Sequence, residues 1–272
     1  MKKLPIPAFV HDLVPSFVSD FAKEHVPECV IDAAAEAIPV AAVAATVLYP
    51  HSSRGAVSIG SGYLSETTRN STSANLESSG ITYAGGDLYY VVEDTNANVI
   101  PVTLSINRAN GSLSKDGISF GTPVKCNGGN DMEGCAYDPY SGTVWISQET
   151  SALIREFDPV TGELLRSAPV PAVQKKYNGN YSLESLSMSG DGLVLWTANE
   201  ESLTVDGDKS SQTVGSTVRL TKFVRQSVRD NWSNAGEWAY VTQPVGTARS
   251  EDHERSGVAD LCALPDGSLL VL

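Results

Sequence analysis

The chain has 272 residues, 41% hydrophobic and 19% charged, so it can bury a sizeable core and is too apolar for a disordered segment. Its formal net charge of −13 argues against nucleic acid as a partner, because phosphate binding draws on clustered Lys and Arg. The same acid surplus suits a cationic partner, most simply a metal ion, although it also serves plain solubility.

Residues 1–45 open on Lys2 and Lys3, and the run IPVAAVAA at 38–45 ends in small residues like a signal-peptidase site. Asp12, Asp20, Glu24, Glu28, Asp32 and Glu36 interrupt every apolar run there, whereas an export signal needs an unbroken one of about 7–15 residues. The segment reads as a short helical or irregular extension, broken by Pro5, Pro7, Pro15, Pro27 and Pro39, or as an atypical export segment. No stretch is apolar for long enough to span a bilayer as a helix.

The whole chain carries 23 Gly and 14 Pro, and from residue 46 to 272 the sequence reads as short alternating segments between turns. A strand is expected at Ala56–Leu64. Next come segments that superimpose on one another. Ser79–Tyr83 and Leu88–Glu93 flank the turn AGGD; Glu133–Tyr137 and Thr143–Glu149 flank DPYSG. Glu184–Met188 and Leu193–Glu200 flank SGDG, and Asp260–Leu264 and Ser268–Leu272 flank PDG. Each unit is a strand, a Gly-containing turn and a second strand, which is a hairpin signature. Hairpins recurring at roughly 50-residue intervals are the mark of propeller blades. Leu153–Phe157 and Glu163–Ser167, on either side of Asp158–Gly162, are expected as the third and fourth strands of one blade. The reading is an all-β chain, a β-propeller of four-stranded blades. The last hairpin stops short of a residue matching Glu149 or Glu200, so the domain is expected to be incomplete at its C-terminus.

Cys29, Cys126, Cys135 and Cys262 make no zinc-type spacing. Cys126 and Cys135 flank a Gly-rich loop, and two readings stand for them: a disulfide in an oxidising compartment, or two buried thiols.

The acids fall at repeated places. Glu133 and Glu149 stand equally far from their turn, as do Glu184 and Glu200, so each pair is expected at the open end of its hairpin. Glu133, Glu184 and Asp260 then point at one mouth of the channel, with Glu93, Glu149 and Glu200 just outside. Converging carboxylates repel unless a cation is present, and oxygen-only donors suit calcium, with Asn130, Asp131, Asn178, Asn180 and Asn199 as further oxygen donors. The alternative is a set of acids that end strands on a solvated face.

Several of these stretches together resemble the phytase-like domain family, also described as "esterase-like activity of phytase". They are DMEGCAYDP at 131–139, GTVWISQE at 142–149, IREFD at 154–158, NGNYSLESL at 178–186 and DGLVLWTANE at 191–200. LTVDG at 203–207, VRL at 218–220 and the run at 257–272 extend the likeness over roughly residues 75–272. The resemblance implies a secreted or periplasmic propeller acting on a small phosphoester or ester with calcium as cofactor. It places Glu133, Glu149, Glu184 and Glu200 at the family's acidic positions, with Glu133 and Glu184 in the catalytic role. Arg155, Lys175, Lys176 and Arg219 become candidates for holding phosphate oxygens.

No GxSxG, HExxH or P-loop occurs. His253, in a charged loop, is a candidate base or a solvated side chain, and Asp94–Asn98 begins like a calcium loop without completing one. Two other readings remain open: a non-catalytic propeller that binds protein or glycan, and a metal-dependent sugar lactonase.

Overall fold

A computed structural model describes residues 77–109, 111–245 and 255–272. The extension at 1–45, the strand expected at Ala56–Leu64 and the loop holding His253 lie outside the described residues. The rest is nearly all β, organised as successive antiparallel meanders.

The first sheet runs β1 (Ser78–Gly85), β2 (Leu88–Glu93), β3 (Asn98–Leu104) and β4 (Ile118–Phe120). A short β5 (Val124–Lys125) also pairs with β3, so this blade has five strands where four were expected. The second is β6 (Met132–Asp138), β7 (Thr143–Gln148), β8 (Leu153–Phe157) and β9 (Leu164–Ser167). The third is β10 (Leu183–Met188), β11 (Val194–Asn199), β12 (Thr217–Val224) and β13 (Ser233–Val241). Finally, β14 (Leu261–Ala263) pairs with β15 (Leu269–Val271). All four repeated hairpins are therefore present, and the widest gap between them is filled by the 200–216 segment and the long strands β12 and β13.

The first strands stand side by side, β1 against β6, β6 against β10 and β10 against β14. Apolar side chains fill the seams between sheets. Val92, Val99, Met132, Val144, Ile146 and Phe157 close the first seam. Trp145, Ile154, Leu183, Leu195, Phe223 and Trp232 close the second, and Ala198, Val218, Leu220, Leu261 and Val271 the third. Sheets packed face to face about a row of inner strands are the blades of a β-propeller. The second blade is covered on both faces by its neighbours, so β7 is buried along its whole length, whereas β1 and β13 keep exposed positions.

Hydroxyls stitch the inner strands together. The Tyr137 amide donates to Thr82 Oγ1 at 2.9 Å, and the Ala263 amide donates to Ser187 Oγ at 2.8 Å, from equivalent positions in their blades. The second and third blades are also pinned by an ion pair between Arg225 and Asp138 at 2.6 Å, with both side chains fully buried. Arg225 donates further to the carbonyls of Gly192 and Val228 and lies over the Trp232 ring.

Cys126 and Cys135 are free, buried thiols in the first seam, so the disulfide reading is set aside in favour of the two thiols. Burial without a nearby cation strong enough to offset it pushes the Cys126 thiol up to about 12, which leaves it unreactive. Among the described residues no helix is long and apolar enough to cross a membrane.

Candidate functional site

A bulge at the start of the inner strands β1, β6 and β10 builds the site. In the second blade the pairing steps from Met132↔Gln148 to Cys135↔Ile146, and in the third from Leu183↔Asn199 to Ser185↔Ala198. The first blade makes the same shift between Ser78↔Glu93 and Ile81↔Val91. One extra residue on the inner strand kinks it and re-aims the side chain there. Those re-aimed side chains include Glu133 and Glu184.

A hydroxyl holds the bulge in the second and third blades, supplied from opposite strands. In the second blade the Gly134 amide donates to Ser147 Oγ at 2.8 Å; in the third the Ala198 amide donates to Ser185 Oγ at 3.0 Å. This explains the serine at 185, which is a structural partner of the backbone rather than a nucleophile.

The bulge also corrects the expected pairing of the acids. Glu149 lies across from Asp131, its amide donating to the Asp131 carbonyl at 2.9 Å, and Glu200 lies across from Ser182 at 2.7 Å. Asp94 makes the same bond to Glu77 at 3.1 Å. The first-blade counterpart of Glu149 is therefore Asp94 and not Glu93. The Glu93 carboxylate is taken by the side-chain amides of Asn96 and Asn98, at 2.6 and 2.7 Å. The sequence had signalled Asp94 through its partial calcium-loop pattern, but the one-residue shift could not be read from spacing.

Blade packing gathers these acids. Gly134 lets β6 approach β10 so closely that a Cβ there would lie 2.3 Å from the Leu186 amide nitrogen. Gly80 does the same against the Glu133 carbonyl, also at 2.3 Å. Glu133, Glu149 and Glu184 each place a carboxylate oxygen within 4.8 Å of the others, and so do Asp94, Asp131 and Glu133. Glu133 belongs to both triads. Gly134→Ala is expected to force the two strands apart, destabilising the fold by about 1–3 kcal/mol and weakening any cation held between Glu133 and Glu184. Thermal melts with and without calcium check this, and an unchanged calcium-dependent shift would contradict it.

Burial is the main influence on the titration of these groups. It raises Glu184 to about 9, with Glu133, Glu200, Glu149 and Asp131 adding repulsion. It raises Glu149 to about 8, partly offset by the Ser182 amide that donates to Glu149 Oε1 at 3.1 Å. Glu133 rises to about 7 by burial, opposed by a hydrogen bond from Ser79 and reinforced by Asp94, Asp131 and Glu200. Asp94 rises to about 6 through burial and a hydrogen bond shared with Asp131. Asp131 itself takes a left-handed backbone, φ 52°, which orients its carboxylate toward the Thr150 amide at 2.7 Å.

Glu200 is raised by burial and by Glu201, and is opposed by Arg255 and Lys209. Asp260 stands outside both triads; burial raises it to about 6, and its Oδ1 accepts from the Leu261 amide at 2.8 Å.

The basic candidates are placed differently from the expectation. Arg219 is clasped by Asp206 at 2.6 Å and Glu237 at 3.1 Å, so its guanidinium is committed within the fold. Arg155 donates to the Gly128 carbonyl at 2.7 Å. Lys175 and Lys176 are exposed at the end of a short 3-10 turn, Ala172–Lys175. The cations that act on the acidic mouth are instead Lys209 and Arg255, from segments without strand periodicity to mark them.

No curated protein matches this chain. A solved streptogramin B lyase structure is 13% identical with a TM-score of 0.35, covering 71% of this chain and 61% of that one. The extracellular domain of a hybrid two-component system protein from B. thetaiotaomicron is 9% identical with a TM-score of 0.35, covering 75% and 28%. The chain thus spans less than two thirds of either structure. The phytase-like family, described as "Esterase-like activity of phytase", matches residues 77–272, the whole of the bladed region, and with its motifs lying on the bulges and acids just described the chain belongs to that family.

Proposed function

We propose that this domain is a calcium-assisted hydrolase of phosphoesters or related esters, acting at the acidic ends of the inner strands in a secreted or periplasmic setting. The observation that carries the reading is the pair of carboxylate triads sharing Glu133. Their donor set fits a hard cation, because it offers carboxylate oxygens and no histidine or thiolate in either triad. Asp94, Asp131 and Glu133 would hold one ion and Glu133, Glu149 and Glu184 another, while Glu200 adds negative potential beside them.

When bound, calcium supplies Lewis-acid polarisation of an ester or phosphoryl oxygen and lowers the pKa of a coordinated water. The chain's own residues set the geometry. The Ser182 amide fixes Glu149, the bulge hydroxyls fix the backbone beside Glu133 and Glu184, and burial keeps Glu184 protonated near neutral pH in the bare site. A cation there would be held by Glu184 in its deprotonated form, with Glu133 as the carboxylate common to both positions.

Calorimetric titration of calcium into chelator-stripped full chain tests the reading, followed by phosphate release from a simple aryl phosphate. Expected are micromolar binding, roughly, and turnover that chelator abolishes and calcium restores. Binding without turnover on phosphate or carboxylic esters would favour a non-catalytic binding propeller. Lactone opening alone would favour a lactonase.

A further inference from the structure

Tyr181 lies three residues before Glu184 and next to Ser182, whose amide holds Glu149. Two cations rest on its ring. The Lys209 ammonium is 4.6 Å from the ring centroid and the Arg255 guanidinium 5.6 Å. Each position is set by its neighbours. The Ser210 amide and hydroxyl both donate to the fully buried Glu201, at 2.9 and 2.7 Å, which anchors the backbone beside Lys209. The Ser256 amide donates to Ser210 Oγ at 2.9 Å, tying the Arg255 segment to the same anchor. The Val258 amide donates to the Glu200 carbonyl at 3.0 Å and completes the junction.

Among the described residues, no carboxylate lies within ion-pair distance of the Lys209 ammonium; its contact is the Tyr181 ring. A half-buried ammonium held on an aromatic face keeps its charge and its hydrogen-bond donors available while losing little entropy on binding an anion. Both cations act on Glu200 at the rim of the carboxylate site, so the potential changes sign over a short distance there. An anion bridging the two regions would meet calcium on one side and two fixed cations on the other.

We infer that Tyr181, Lys209 and Arg255 form an anion subsite that selects phosphate-bearing substrates over neutral esters and lactones at the carboxylate site. The subsite rests on the hydrolase reading for its purpose, but not for its existence. Lys209 and Arg255 hold the non-reacting phosphate oxygens, and Tyr181 is a positioning residue for both.

The test uses the full chain and inorganic phosphate as probe, titrated by calorimetry at constant ionic strength with and without saturating calcium. Calcium affinity is measured first and separately. Lys209→Gln is expected to weaken phosphate binding about tenfold, and Lys209→Gln with Arg255→Gln further, while calcium affinity is kept or raised because positive charge leaves the rim of the carboxylate site. Tyr181→Leu, which removes the ring, is expected to weaken phosphate as Lys209→Gln does, whereas Tyr181→Phe keeps the parent affinity. Unchanged phosphate binding in the double variant would overturn the subsite, as would absence of phosphate binding to the parent in either state. A parent that binds phosphate through Lys209 but binds no calcium would overturn the hydrolase reading and leave the subsite standing.

Discussion

Glu133→Gln is expected to make the metal-free protein melt higher at pH 8 and to remove most of the stabilisation that calcium gives the parent. Both effects come from one carboxylate. Glu133, Glu149 and Glu184 have folded-state values of about 7, 8 and 9 against a reference of 4.5, each raised chiefly by burial. A carboxyl whose folded value is raised binds its proton more tightly folded than unfolded. Its contribution is therefore fully present below about pH 4.5 and is lost as pH rises through 7 to 9. The bare parent should lose on the order of 10 °C in Tm between pH 5 and pH 9. Replacing Glu133 by neutral Gln removes one charge from the centre of the cluster, so the variant should gain about 5 °C at pH 8 when metal-free. With calcium the order reverses, because the variant lacks the ligand common to both triads and should bind roughly a hundredfold more weakly. Scanning calorimetry across pH, with chelator and with excess calcium, reads all of this at once. A parent whose metal-free Tm rises from pH 5 to pH 9 would contradict the argument.

Asp138→Ala should be the most damaging single substitution outside the acidic cluster, at about 3–5 kcal/mol. The Arg225 guanidinium is fully buried and would be left with carbonyls and a ring but no counter-charge. Denaturant unfolding measures the loss. The pair itself contributes little beyond an apolar replacement, so Asp138→Leu with Arg225→Met should recover most of the stability. If the double variant is as unstable as the single one, burial of an unpaired charge is not the cause.

Much of this architecture was legible because hairpins announce themselves locally. The first strand pairs of all four units fall where alternation and Gly-containing turns put them, and Leu153–Phe157 appears as β8 at those bounds. The acids were legible for the same reason, since Glu133 and Glu184 recur at one place in the repeat. The bulge was not, because an extra residue leaves periodicity almost intact while moving every later partner by one. That shift is why Asp94, not Glu93, joins Asp131 and Glu133. The basic residues were harder still. Arg219 sits in a regular strand and drew notice, yet Asp206 and Glu237 already hold it. Lys209 and Arg255 lie far apart in sequence and meet through the Ser256–Ser210 hydrogen bond and the Tyr181 ring that both cover.

Glycine at the bulge makes the junction between blades, rather than any one blade, the unit of chemistry. Gly80 admits the second blade's backbone to the first, and Gly134 admits the third's to the second. Each carboxylate triad then draws from two blades: Asp94 with Asp131 and Glu133, then Glu133 and Glu149 with Glu184. A seam therefore carries a triad only where the incoming inner strand brings a bulged acid, as β6 and β10 do and the unbulged β14, with Asp260, does not. Such a site can be silenced seam by seam by adding a single methyl group.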